Sequence, residues 1–201
     1  MDERNYLTFQ SESQQVPYTF VYPAGWQVRE TAEEGRVKMF IAGPRDPEDT
    51  FSVGFTVRMS PASVQTPAAA MRAFLERFRQ MPGFRETGRS SGVVAGKPAV
   101  EVEFTHTMPL PLNAREPQMK SIRNRHITFL DSSDVLVELI YAAPDEMYDT
   151  WLSDFRTLVH TFRRTEEGEG TAFHSLIDIP DAAVVREATA DYDVEEGAEG
   201  E

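Results

Sequence analysis

From Phe51 to Met59 apolar and polar side chains alternate without interruption: Phe51, Val53, Phe55, Val57 and Met59 are separated by Ser52, Gly54, Thr56 and Arg58. Successive side chains of a strand point to opposite faces, so this pattern predicts a strand buried on one side only. The same period returns at Val100, Val102, Phe104, His106 and Met108, with Glu101, Glu103, Thr105 and Thr107 between them. A chain with two such strands has to build a sheet and to cover its apolar side.

The rest of the chain supplies the partners. Tyr18 to Tyr22 and Trp26 to Val28 are aromatic and β-branched segments flanking Pro23-Ala24-Gly25, which predicts two short strands around a turn. Val37, Met39 and Ile41 alternate before Gly43 and Pro44, and Val93 and Val94 lead through a predicted Gly96-Lys97-Pro98 turn into the second alternating strand. A proline-rich connection, Pro109 to Pro117, precedes a strand from Ser121 to Leu130, an Asp131-Ser132-Ser133-Asp134 turn and an apolar strand from Val135 to Tyr141, the pattern of a hairpin.

Two segments switch to helical spacing. Thr66 and Pro67 form an N-cap and first turn ahead of Met71, Phe74, Leu75 and Phe78, and Pro82-Gly83 ends the run. Pro144, Asp145 and Glu146 open a second helix with the stripe Tyr148, Trp151, Leu152, Phe155, Val159 and Phe162, closed by Arg163 and Arg164 at the negative end of its dipole. The expected class is α+β, a mainly antiparallel sheet flanked by helices. Periodicity leaves open whether the helices share a face.

Charge divides the chain. Residues 166–201 hold twelve acidic residues and one basic one, a net of −11, while residues 1–165 are close to neutral at −2. The expected organisation is an N-terminal extension at 1–15, a folded domain at 16–165, and an acidic tail at 166–201 too polar to repay the entropy of ordering. Two apolar islands interrupt the tail, Phe173 with Leu176, Ile177 and Ile179, and Ala182 to Val185. A near-neutral body argues against a nucleic-acid partner. Met1 to Gln10 carries no secretory signal, and the run Val135 to Ala143, broken by Glu138, is far shorter than the roughly 20 residues of a membrane helix.

The segment Tyr18-Thr19-Phe20-Val21-Tyr22-Pro23-Ala24-Gly25-Trp26 resembles the aromatic strand and Pro-x-Gly-Trp turn that open PsbP-like domains. The succession of Gly43-Pro44-Arg45-Asp46, the Phe51 to Met59 strand, the Pro67 helix ending in Pro82-Gly83-Phe84, the Gly96-Lys97-Pro98-Ala99 turn, the long hairpin and the helix from Trp151 to Phe162 is similar to that family's pattern over Val16 to Arg164. The resemblance implies the α/β/α sandwich of the Mog/PsbP-like superfamily and a role in binding other proteins. Its bacterial members include envelope lipoproteins and, more distantly, chaperones that hold apolar segments. The lipoproteins' lipid-accepting cysteine and leader have no counterpart here. The expectation is therefore a cytoplasmic protein if the chain is complete and an envelope protein if a leader was removed.

Signatures of chemistry are sparse. With no cysteine, thiolate nucleophiles and thiolate metal sites are excluded. His106, His126, His160 and His174 lack the paired spacing of a metal site, and His106 shares the buried parity of Val102 and Phe104. No nucleophile elbow or phosphate-binding glycine loop occurs, so no cofactor is expected. Glu101 and Glu103 share a strand face, which suits either acid–base chemistry or a solvated face paired with basic neighbours. Asp145, Glu146 and Asp149 are read as helix-start carboxylates before calcium ligands.

The remaining cluster is basic: Arg115, Lys120, Arg123 and Arg125, with Arg58 expected on the same exposed sheet face as Glu101 and Glu103. Together these residues form a candidate mixed-charge docking surface for a protein partner, or one that the acidic tail screens. The leading expectation is a non-enzymatic protein-binding or assembly module. Two others stand beside it: a small-molecule binder or weak hydrolase with a pocket between sheet and helices, and a chaperone-like binder of apolar segments.

Overall fold

The alternating segments become the interior of a seven-stranded antiparallel sheet in the computed structural model, which describes residues 5–11, 17–33, 36–131 and 135–165. In chain order the elements are β1 (Tyr6–Gln10), β2 (Tyr18–Pro23), β3 (Gln27–Glu33), β4 (Arg36–Arg45), β5 (Ser52–Pro61), α1 (Pro67–Phe78), β6 (Arg85–Val94), β7 (Lys97–Leu110), β8 (Gln118–Leu130), β9 (Val135–Pro144), α2 (Asp145–Thr161) and β10 (Arg163–Arg164). The large sheet runs β3-β4-β5-β9-β8-β7-β6, and β1, β2 and β10 form a second, small one.

Register explains which side chains are buried together. Phe55, Val57 and Met59 of β5 lie opposite Tyr141, Leu139 and Val137 of β9, and Leu139 and Val137 lie opposite Ile127 and Phe129 of β8. This apolar field receives α2, whose Phe155 ring stands 5.5 Å from both Phe55 and Tyr141. Full burial of such a ring is worth roughly 1.5–3 kcal/mol. Asp145 and Glu146 occupy the first turn of α2, where the helix dipole favours them.

Helix α1 starts where Thr66 Oγ1 accepts from Ala69 N at 3.2 Å, and it buries Met71, Phe74, Leu75 and Phe78 against Val102 and Phe104 of β7. Tyr148 of α2 reaches Glu103, the residue between those two. The two helices thus use alternate residues of β7, which periodicity had left open.

Several boundaries differ from expectation. Part of the presumed N-terminal extension is strand β1, paired with β2 from Tyr6↔Pro23 to Gln10↔Thr19. Strand β6 runs ten residues rather than two; nine of them are exposed, so no period marks it. The β6–β7 turn is Ala95-Gly96, both with positive φ as tight hairpin loops require, and Lys97 and Pro98 already belong to β7. Asp131 N donates to Val135 O across the β8–β9 connection, whose residues 132–134 lie outside the described residues. So do the acidic tail and both of its apolar islands.

Candidate functional site

Strands β7 and β8 bring four of the singled-out charges onto one face. Arg123 donates to Glu103 Oε1 from Nε at 3.0 Å and from Nη2 at 2.6 Å, and Arg125 bonds to Glu101. Arg125 Nη1 also lies 3.8 Å from Glu103 Oε2, which accepts from Tyr148 Oη at 3.1 Å. The Arg123 guanidinium sits 4.2 Å from the centre of the Tyr148 ring, a cation–π arrangement. Partial burial pushes the Glu103 carboxyl up. The hydrogen bonds and charge of Arg123, with the Tyr148 hydroxyl, outweigh it and hold Glu103 below the usual carboxylate range. Each glutamate is ion-paired with an arginine, the arrangement expected of a strand face paired with basic neighbours.

Lys120 belongs to a different cluster. It bonds Asp46, lies 2.6 Å from Glu48 and 3.7 Å from Glu146. Asp46 is buried and accepts from Thr50 N and Thr50 Oγ1 at 2.6 Å and from Phe51 N at 2.9 Å. Burial alone would raise its pKa, but the Lys120, Thr50 and Phe51 bonds bring it down to about 2. The turn signature of Asp46 followed by Thr50 was the available signal for this cluster. Arg115 is exposed in the connection between β7 and β8.

Arg58 is not where it was expected. It pairs with Glu138, which pairs with Thr128, which pairs with Val100, so Arg58 shares the parity of Val100 and Val102 and lies on the face opposite Glu101 and Glu103. Its own strand gave its parity correctly. The relation between faces of distant strands depends on register, which a single alternation does not carry.

Two histidines are buried on that opposite face. His106 Nδ1 lies 3.1 Å from Asn124 Nδ2, and burial pushes its pKa down to about 4. His126 packs edge-on against Phe74 with ring centres 3.8 Å apart, its Nε2 3.1 Å from Glu138 Oε1. Asn124 carried no signal in the sequence, and His126 was named there only as one of four scattered histidines. Among the described residues, no group of three or more His, Asp and Glu is arranged to hold a metal ion.

An open cleft of about 340 Å3 lies beside the paired charges, between the β6–β7 hairpin and the second half of α2. Val93, Ile127, Phe155 and Val159 give it apolar walls, and Glu101, Arg125, Arg156 and His160 give it polar ones. Arg156 and His160 are exposed, and Val93 is 72% exposed despite being apolar. Of the seven residues proposed from sequence as a docking surface, Glu101 and Arg125 line this cleft.

Fold and face together describe an α+β protein of mainly antiparallel sheets and two helices, with one strand face neutralised by its own ion pairs. Among the described residues no helix is long and apolar enough to cross a membrane. No family model matches the chain, and no curated protein matches it. Solved structures similar to it include CyanoP, the cyanobacterial PsbP from Synechocystis, with 14% identity over 81% of this chain and 94% of the other and a TM-score of 0.48. LpqN of Mycobacterium tuberculosis, involved in cell envelope biogenesis, is 12% identical over 82% of this chain and 94% of its own, with a TM-score of 0.48. PA94 of Pseudomonas aeruginosa, a protein of unknown function, is 11% identical over 74% and 91%, with a TM-score of 0.47.

Proposed function

We propose that this chain is a non-enzymatic protein-binding or assembly module of the PsbP-like type, with an α/β/α sandwich body, and that it binds through the cleft beside α2. The observation that carries this reading is the cleft itself. It joins apolar walls to the exposed Arg156 guanidinium and the exposed His160 ring, and one rim is β6, an edge strand hydrogen-bonded to β7 on one side only among the described strands. Such an edge can accept an extended segment of a partner, with the cleft taking its side chains. The non-enzymatic part is supported by Glu101 and Glu103, each committed to an arginine that does not give up its proton, so neither carboxylate is poised for acid–base work.

The test is affinity capture from native extract with the wild-type chain and a Val93→Asp/Arg156→Glu variant side by side. A protein retained by the first and lost by the second supports the cleft as the docking site. Equal retention by both moves binding elsewhere, and retention of no protein by either overturns the reading.

A further inference from the structure

We infer that the cleft is occupied in cis by the apolar island Phe173 to Ile179 of the chain's own acidic segment, so that an external partner has to displace it. This rests on the cleft being a docking site and adds its regulation.

Three observations converge on that occupant. The first is reach. His160, on the cleft wall, precedes Thr165 by five residues, so at most about 18 Å of chain separates them, and eight further residues to Phe173 span up to about 27 Å. Thr165 is held in place by its N–H bond to Pro17 O at 3.1 Å, and Arg164 by Asp131 at 3.0 Å. Asp131 directly follows β8, near the same end of the sheet as the Ala95-Gly96 turn that borders the cleft, because Phe129 pairs with Ala99. The acidic segment therefore leaves the body beside the cleft.

The second observation is charge. Between residues 166 and 185 the chain carries Glu166, Glu167, Glu169, Asp178 and Asp181 and no lysine or arginine. The cleft presents Arg156, and Arg163 and Arg164 follow at the end of α2, all three at exposed positions. The third is side-chain chemistry: Phe173, Leu176, Ile177 and Ile179 are the apolar complement to Val93, Ile127, Phe155 and Val159. Tethering by a short linker supplies an effective concentration on the order of millimolar, so even a weakly binding island fills the cleft when nothing competes.

The absence of cysteine makes a direct test available. A Ser175→Cys full-length chain is labelled with a nitroxide, and amide broadening is read by NMR at Val93, Val94, Val159 and His160, with an Ala198→Cys label as control. The expected result is several-fold stronger broadening of these amides from position 175 than from 198. It should be lost on adding Arg156→Glu/His160→Glu and reduced by raising the salt concentration. A synthetic peptide of residues 166–185 should shift the same amides when added to a full-length Phe173→Glu/Leu176→Glu chain. Equal broadening from both labels, or broadening untouched by the charge reversal, overturns the inference. If that happens while cleft-dependent capture of a partner persists, only the cis occupant is wrong; if capture fails as well, the cleft is not a docking site at all.

Discussion

Asn124 of β8 reaches His106 of β7 on the diagonal, two residues beyond its register partner Phe104, amide nitrogen to ring Nδ1 at 3.1 Å, under the aromatic cover of Phe78 and Phe104. With the amide donating, the ring accepts at Nδ1 and is neutral. A proton on Nδ1 would set two donors against each other in a buried site.

The consequence is a pH dependence of stability. His106 is depressed from 6.5 to about 4 in the folded state. Between those values the unfolded chain binds a proton that the folded chain refuses, so stability is full above 6.5 and falls as the pH drops toward 4, by on the order of 3 kcal/mol from this group. Urea unfolding across this range should show a steeper fall for wild type than for His106→Leu. A wild-type curve no steeper than the variant's would count against the neutral, buried ring.

Asp46 acts lower on the scale. Its folded pKa of about 2 lies below the ordinary 3.8, so its contribution is present above 3.8 and disappears as the pH falls toward 2. Asp46→Asn should flatten this acid limb. At neutral pH, Asp46→Ala should cost about 2–4 kcal/mol, because it strips partners from Lys120, Thr50 and Phe51 together. Chemical denaturation of the two variants checks both statements.

Ala95 holds φ at +50, a conformation that costs an L-residue with a Cβ about 1–2 kcal/mol. Ala95→Gly or Ala95→Asn should therefore raise stability, by about 1 kcal/mol for the glycine. An unchanged or lowered urea midpoint for both variants would show that the turn carries no such strain.

Gly43 is required by a neighbour rather than by its backbone. A Cβ there would come 2.5 Å from Trp26 Cζ2, and the Trp26 ring is confined by Phe55 at 4.6 Å and Trp151 at 5.3 Å. Gly43→Ala should lose about 1–3 kcal/mol and shift the tryptophan emission, since the ring has to move.

What was legible in the sequence follows from burial. Strands β5 and β7 declare themselves because one side of each meets a helix or its aromatic neighbours, so composition alternates. Strand β6 has a solvent-exposed residue at nine of ten positions and β1 is mostly exposed, so selection on burial leaves no period to read. The ion pairs of Glu101 and Glu103 could be anticipated as a face with basic neighbours, yet which arginine meets which glutamate is decided by strand register. The cleft was invisible for a similar reason: Val93 and Val159 are 66 residues apart and meet only because α2 returns along the sheet.

Strand β10 also has a mechanical meaning. A pull on the C-terminal segment is borne first by the Thr165 N–H bond to Pro17 O, by the exposed Arg163 and Arg164 paired with β2, and by the Arg164–Asp131 contact. Only behind them stand Phe162, Leu158 and Phe155, sunk in the main core. The attachment is thus a weak link in series with a strong one: tension applied beyond Thr165 peels Arg163 and Arg164 from β2 before it reaches the packed core.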